Sequence, residues 1–365
     1  MKILHVLYSG LGGHGNVFFS LADADTKNEF EYEALFYGIE NVRTEYLQQC
    51  AKRDIIAHFA KKKYTIDLPF YLEIFKHIQR SKADIIFLHG SAYIIPAAIS
   101  KFLSKKKCRI IVRETQANHL KANIQWVSLF FSMILATKIV CLSDEFKQQL
   151  ERKFKMFDHK KIVVIPNGID LNLFKPSEKV YSQHFVIGMQ SRIVSIKDHL
   201  TLLKAFAVLK NNGQPVYKNL KLKIAGDGSF KNTLIQQTKE LHLENDVEFV
   251  GELSQPDLIT FLLTLGIYVH ASLGETMSTA IMQAMACKLP VVASDVDGIN
   301  NMIINNITGL LIPPKNEFLL AEALSKLIEN EHLRNTLATN AYEYAVNNYS
   351  NHKMFNSYKV LAFSS

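Results

Sequence analysis

The segment Gly188-Met189-Gln190-Ser191-Arg192-Ile193-Val194-Ser195-Ile196-Lys197-Asp198 sets two cations five positions apart in the loop after a strand-like run. Arginine offers a planar fork of donors and lysine a compact point charge, a pairing suited to a diphosphate. Taken alone, two such loop cations are more often solvated than functional. Further along, Ser272-Leu273-Gly274-Glu275-Thr276-Met277-Ser278-Thr279 puts an acid in a loop just ahead of a helical stretch. The free N–H groups of a helix start, with the hydroxyls of Ser278 and Thr279, could receive phosphate oxygens. Either hydroxyl could equally do no more than cap the helix. Between these segments, Ile224-Ala225-Gly226-Asp227-Gly228 reads locally as a tight turn at a strand end. His89 ends a strand-like run over 84–88, a position where a lone histidine is often structural.

A second glycine loop stands at the N-terminus. The run 3–8 leads into Gly10-Leu11-Gly12-Gly13-His14-Gly15-Asn16 and then an apolar helix, so G-x-G-x-x-G is literally satisfied. A dinucleotide site also needs an acid about 20 residues on, at the end of the next strand. That strand ends Phe36-Tyr37-Gly38, and its acids Glu31 and Glu33 come at its start. The signal for a nicotinamide cofactor is therefore weak. A loop that closes a strand–helix corner and a loop that faces a ligand across a cleft both remain open, with the second favoured.

These residues need elements to hold them. Short β-branched runs alternate with longer helical stretches, the signature of βαβ units and a mainly parallel sheet. The spacing predicts strands at 3–8, 31–37, 84–88, 109–113, 138–142 and 162–165. A second series follows at 184–188, 220–225, 247–250, 267–269, 291–293 and 310–312. Pro166 to Gln183 carries neither period and is the linker candidate. The expected organisation is an N-terminal Rossmann-like domain over 1–170 and a linker over 171–183. A C-terminal Rossmann-like domain over 184–348 follows, and a terminal helix over 349–365 packs back on the first domain. Sheets of this kind bind ligands beyond the carboxyl ends of their strands, where strand order reverses.

The 365 residues are 48% hydrophobic and 21% charged, which excludes collagen-like and disordered classes. Four cysteines lie far apart without a C-x-x-C pair, as in a reduced chain rather than a disulfide framework or a zinc site. The first residues show no leader pattern, so a cytoplasmic location is expected. The longest apolar run, 126–142, is interrupted by polar residues and too short to span a bilayer. It reads as a buried helix followed by a strand. Residues 1–175 carry 26 Lys and Arg against 17 Asp and Glu, net +9, whereas 176–365 carry 16 against 17, net −1. A basic half beside a neutral one points to an anionic partner surface, with a solvated charged face as the plain alternative. Nucleic acid is not expected, because charge alone supports it. Neither a D-x-D between strands nor a His/Asp cluster suited to Mg²⁺ is picked out, so no metal is expected.

Read together and in order, these segments resemble the retaining GT-B glycosyltransferases of family four, which move sugars from nucleotide-sugar donors. Pro290-Val291-Val292-Ala293-Ser294-Asp295-Val296-Asp297-Gly298, Thr308-Gly309 and Ile165-Pro166-Asn167-Gly168-Ile169-Asp170 belong to the set. The resemblance covers nearly the whole chain and is strongest over 188–314. It implies two facing doubly wound α/β domains with a cleft between them. Residue by residue, it implies Arg192 and Lys197 on the donor diphosphate and Glu275 on the donor sugar's hydroxyls. The Ser278 and Thr279 amides would meet the distal phosphate, with Gly12, Gly13 and Gly226 also in the donor site. His89 would stand near the reacting sugar. Gln283 replaces the second acid of the family's E-x7-E, which usually holds the ribose, so a neutral hydrogen bond takes the place of a charge-assisted one. Thr276 and Asp297 replace family glycines.

The resemblance further implies retention at the anomeric carbon, neither metal nor cofactor, and a nucleotide-sugar as substrate. By family frequency the donor is a UDP-hexose or a derivative. The expected acceptor is a saccharide, lipid-linked in the family pattern, used in surface-polysaccharide or lipopolysaccharide assembly. The basic first half suits peripheral attachment to the anionic inner face of the plasma membrane. A sugar-nucleotide 2-epimerase on a similar fold and a non-catalytic nucleotide-sugar-binding subunit are the alternatives.

Overall fold

The computed structural model describes residues 1–10, 13–64, 67–104, 107–177 and 184–363. They form two units, Met1–Gly168 with Asn351–Ser365, and Ile169–Ser350. The first unit holds β1 (Lys2–Tyr8), β2 (Glu31–Gly38), β3 (Ile56–Lys61), β4 (Ile85–His89), β5 (Arg109–Arg113), β6 (Lys138–Cys141) and β7 (Ile162–Val164). Its sheet runs β3-β2-β1-β4-β5-β6-β7, parallel throughout. The second unit holds β8 (Phe185–Gln190), β9 (Leu220–Ala225), β10 (Val247–Gly251), β11 (Ile267–His270), β12 (Val291–Ser294) and β13 (Leu310–Ile312). Its order is β10-β9-β8-β11-β12-β13, again parallel. Each is an α/β doubly wound sheet of Rossmann type. Strands such as Ile-Ile-Phe-Leu-His over β4 are buried at every position, as a parallel sheet covered on both faces requires.

In the first unit, one sheet face is covered by α3 (Leu68–Ser81), α4 (Ile94–Leu103), α5 (Asn123–Leu135) and α6 (Asp144–Lys153); α1 (Gly13–Ala24) and α2 (Thr44–Ala51) precede them in the chain. Phe70, Ile74, Ala97, Leu129, Met133 and Leu150 fill the core there against Leu4, Ile86, Val112 and Ile139. The opposite face meets α1 and the C-terminal helix Asn351–Phe363, whose Met354, Phe355 and Tyr358 pack with Val17, Leu21 and Phe87. The Asn351 side chain donates to Ser20 O at 3.2 Å, and Arg109 donates to Ala362 O at 2.7 Å. The second unit adds α7 (His199–Lys210), α8 (Pro215–Lys218), α9 (Lys231–Glu240), α10 (Gln255–Thr264), α11 (Thr279–Ala286), α12 (Glu317–Glu329) and α13 (Glu331–Asn348).

Four readings of the sequence change. Strand β3 was not foreseen: its single alternating run ends in the lysines at 61–63, and it lies at the sheet edge with Ile56 exposed. The linker expected over 171–183 is not free where it is described. Phe174 N–H donates to Asp170 O at 3.0 Å, and Phe174 is buried in the second unit's core. Residues 178–183 lie outside the described residues. Helix α1 begins at Gly13, so Gly13 to Gly15 form its first turn rather than a loop ahead of it.

The fourth concerns the apolar run 126–142. Helix α5 is not buried: only Leu129, Ser132 and Met133 are fully covered, while Ile124, Val127, Phe130, Phe131 and Ile134 face outward. The helix is apolar on both faces, which sequence periodicity reads as burial. Among the described residues no helix is long and apolar enough to cross a membrane. The four cysteines are buried and unpaired with one another.

Candidate active site

Strand order reverses between β8 and β11 in the second unit, and the residues of interest stand at the carboxyl ends of these two strands. The loop after β8 carries Ser191 and Arg192 and closes in a single 3₁₀ turn over Ser195–Lys197. Asp198 then takes a left-handed conformation (φ 39°) and starts α7. The loop after β11 is tied to it: Leu273 N–H donates to Ile196 O at 2.8 Å, and the Ser272 hydroxyl donates to the same carbonyl at 3.2 Å. That clamp brings Lys197 and Glu275 together across 78 positions of chain, and their side chains form an ion pair.

Glu275 also receives His270, the last residue of β11, whose Nε2 lies 3.0 Å from the same carboxylate oxygen. The Tyr268 hydroxyl lies 3.2 Å from His270 Nδ1 and 3.2 Å from Gln190 O. Burial is the dominant influence on His270 and lowers its pKa despite the neighbouring carboxylate, so the ring is neutral near pH 7. A neutral ring facing a carboxylate through Nε2 must carry its proton there, which leaves Nδ1 an acceptor that competes with Gln190 O for the single Tyr268 hydroxyl proton. Burial alone pushes Glu275 upward. The Lys197 charge and the His270 hydrogen bond outweigh it and hold the carboxyl at about 2. The result is an ionised carboxylate at the strand ends, fixed from one side by tyrosine and histidine and from the other by lysine.

Two glycines make this approach feasible. Gly226 (φ 131°) lies against the Ser191 carbonyl, where a Cβ would collide, and Gly298 (φ 83°) lies equally close to the Glu275 carbonyl. Only glycine combines that conformation with that contact. Gly226-Asp227-Gly228 is therefore more than a turn: it supports the Arg192 loop, with Ile193 N–H donating to Asp227 O at 2.8 Å.

The expected donor residues fall into distinct groups. Arg192 is exposed, and its side chain has no hydrogen-bond or ion-pair partner among the described residues. Ser278 is the N-cap of α11, its hydroxyl accepting from Ile281 N–H at 3.4 Å. The capping role is thus real, and it leaves the Thr279 and Ala280 amides of the first turn without an intrahelical acceptor. Gln283 is only 5% exposed, and its Oε1 has no partner. Gly12 lies outside the described residues, and Gly13 is exposed at the start of α1. Asp295-Val296-Asp297, a D-x-D spacing that the expectation of no metal passed over, follows β12 with both acids exposed. Among the described residues no group of three His, Cys, Asp or Glu is placed to hold a metal ion.

His89 stands in the first unit at the end of β4, next to the corresponding reversal of strand order, and is buried. Its Nε2 lies 3.0 Å from His5 Nδ1 and its Nδ1 lies 3.4 Å from an Arg113 terminal nitrogen. Arginine can only donate, so His89 Nδ1 accepts, its Nε2–H donates to His5, and the His5 proton sits on the unpartnered Nε2. Burial, then His5 and Arg113, hold the His89 pKa well below the ordinary range. Both nitrogens of the neutral His89 ring are thus engaged by protein. The ring beside it, 5.8 Å away, is His14 at the start of α1, whose Nε2 lies 3.0 Å from Thr115 Oγ1.

Sequence reasoning missed His270, Tyr268 and Arg113. Each sits in or at the end of an apolar strand where a polar residue stands out, which was the available signal. It also did not foresee Asn167 as a partner, although Arg113 donates to its side chain.

Two parallel doubly wound sheets, each with polar residues gathered at the carboxyl ends of its strands, are the elements of a GT-B fold. Residues 11–173 match the family model described as Glycosyltransferase Family 4, and residues 172–344 match that of the Glycosyl transferases group 1. The chain belongs to glycosyltransferase family four and is a glycosyltransferase. It is similar to the UDP-Gal:alpha-D-GlcNAc-diphosphoundecaprenol alpha-1,3-galactosyltransferase of Escherichia coli, with 25% identity over 84% of this chain and 82% of that one. It is also similar to the N-acetylgalactosamine-N,N'-diacetylbacillosaminyl-diphospho-undecaprenol 4-alpha-N-acetylgalactosaminyltransferase of Campylobacter jejuni, at 27% over 74% of each chain. In fold it matches Anabaena HepE, solved in complex with UDP and glucose, over the full length of both chains with a TM-score of 0.82 at 20% identity.

Proposed function

We propose that this glycosyltransferase moves a hexose-type sugar from a UDP-sugar to a lipid-linked saccharide, with retention of anomeric configuration. The step would serve surface-polysaccharide or lipopolysaccharide assembly at the inner face of the membrane. The observation that carries the reading is the Lys197–Glu275 pair beside the open first turn of α11. Lys197, Arg192 and the Thr279 and Ala280 amides supply positive potential for a departing nucleotide diphosphate, the charge that develops in the transition state. Glu275 accepts hydrogen bonds from the donor sugar and orients it. The leaving phosphate can take the acceptor's proton, so the mechanism needs no protein base, in keeping with a His89 whose nitrogens are already engaged. Neutral His89 serves to hold His14 and Arg113 at the strand ends of the first unit. The relatives named above, whose acceptors are undecaprenol-linked diphosphosaccharides, support the acceptor class.

The test is turnover with UDP-hexoses and UDP-N-acetylhexosamines on a polyprenyl-diphosphate-linked saccharide, with the new linkage read by NMR. The expected product keeps the donor's anomeric configuration. An inverted linkage, or a free 2-epimer formed without acceptor, overturns the reading, and binding without turnover favours a non-catalytic subunit.

Gln283 is assigned to the ribose of the nucleotide on its orphaned, buried Oε1. Replacement by Met, similar in shape but apolar, removes an unsatisfied acceptor, a group that costs about 1–3 kcal/mol when left unpaired. The melting temperature is therefore expected to hold or rise while UDP affinity, measured by calorimetry, falls about tenfold. Unchanged affinity would remove the ribose assignment.

A further inference from the structure

We propose that the outer faces of α4 and α5 form a docking surface for an anionic phospholipid bilayer. On α4, Ile95, Ile99 and Phe102 fall at i, i+4 and i+7. On α5, Ile124, Val127 and Phe131 fall at i, i+3 and i+7, so each helix carries one outward apolar stripe. The inner faces of the same helices, with Ala97 and Leu129 among them, are already used in the core. The stripes are therefore surplus to folding. Phe102 is 87% exposed and Ile124 is 70% exposed. The two helices pack side by side, which puts both stripes on one side of the helical layer. Soluble surfaces scatter such residues singly, and apolar groups gathered on adjacent helices mark a contact surface.

Charge selects the occupant. Residues 94–161 carry 14 Lys and Arg against 5 Asp and Glu. Arg113 and the Lys121 side chain are buried and Arg109 reaches the C-terminal helix, while Lys107, Arg152, Lys153, Lys155 and Lys160 are exposed. Lys101 ends α4. Lys153 sits 4.0 Å over the ring of Trp126 on α5, and Lys161 donates to Met133 O and Ile134 O at the end of that helix. The basic segment 152–161 thus borders α5, and it exposes Met156 as well. Apolar insertion and attraction to anionic headgroups reinforce each other on one face. A second copy would set this cationic face against itself, and a nucleic acid would leave the isoleucines and phenylalanines in water. The inference deepens the proposed use of a lipid-linked acceptor, which is held in that bilayer, but lipid binding is read without donor or acceptor.

The experiment uses the full chain and vesicles of phosphatidylglycerol with phosphatidylcholine, against phosphatidylcholine alone. Binding is followed by co-sedimentation and by the fluorescence of Trp126, the single tryptophan. Binding to anionic vesicles is expected, falling steeply between low and high salt, with none to neutral vesicles. The double variant Phe102→Ser/Ile124→Ser should lose at least about tenfold in partitioning, and Lys107→Glu/Lys155→Glu a similar amount. These side chains are exposed, so melting temperatures should hold, and turnover on a water-soluble acceptor should match the unaltered chain. No binding to anionic vesicles, or equal binding by the serine variant, overturns the proposal. So does a dimer that the serine variant dissolves without any vesicle binding. If the unaltered chain binds vesicles but transfers no sugar to any acceptor, the acceptor reading fails and the docking surface stands.

Discussion

Replacing Glu275 by Gln is expected to lower kcat at least about 1,000-fold, or about 4 kcal/mol, while leaving the affinity for UDP within a few-fold of normal. Gln keeps the size of the side chain and an oxygen that can accept from His270 and Lys197, so the fold of the loop should survive. The negative charge is lost, and with it the orientation of the sugar hydroxyls at the reacting carbon. Misplacement there is costly because the near-attack geometry carries much of the rate. A merely structural role for Glu275 would instead loosen the clamp between the loops after β8 and β11 and damage UDP binding and melting temperature together. Stopped-flow turnover, UDP titration and a melting curve on the same variant separate the two outcomes.

Arg192→Ala and Lys197→Ala are each expected to reduce kcat/KM by at least about 100-fold, near 3 kcal/mol of lost charge stabilisation. The two should differ in their pH profiles. The Arg192 side chain has no partner to lose among the described residues, so its removal should leave the acid limb where it is. Lys197 supplies the largest influence that lowers the Glu275 pKa, against a burial that raises it. Without Lys197 the carboxyl must climb from about 2, and activity should then be lost as pH falls through a higher value than in the unaltered chain. Coincident acid limbs in both variants would detach Lys197 from Glu275 in solution.

The architecture was legible because both sheets are parallel and covered on two faces. Such strands are continuous apolar runs, and runs at regular spacing between helical stretches leave few alternatives. Strand β3 escaped because an edge strand needs only one apolar face and here runs into a lysine cluster. Helix α5 was misread as buried because periodicity measures how apolar a face is, not whether anything covers it. The two faces of α5 have the same chemistry and opposite fates.

For the site, the sequence by itself determined the residue types: the cations at 192 and 197, the acid at 275, the helix start at 278 and the departure at 283. These are local facts, fixed by neighbours in the chain and by turn and cap chemistry. Only the tertiary structure decided what each one touches. Lys197 meets Glu275 because the Leu273 amide and Ser272 hydroxyl clamp onto Ile196 O, and because Gly226 and Gly298 admit the backbone at distances no side chain allows. His270 and Tyr268 joined them through the register of β11 between β8 and β12. His89 was drawn inward by His5 and Arg113, which lie on the flanking strands β1 and β5 and are 84 and 24 positions away in sequence. Contacts of that separation depend on which strands become neighbours, and strand order is a property of the whole sheet rather than of any segment within it.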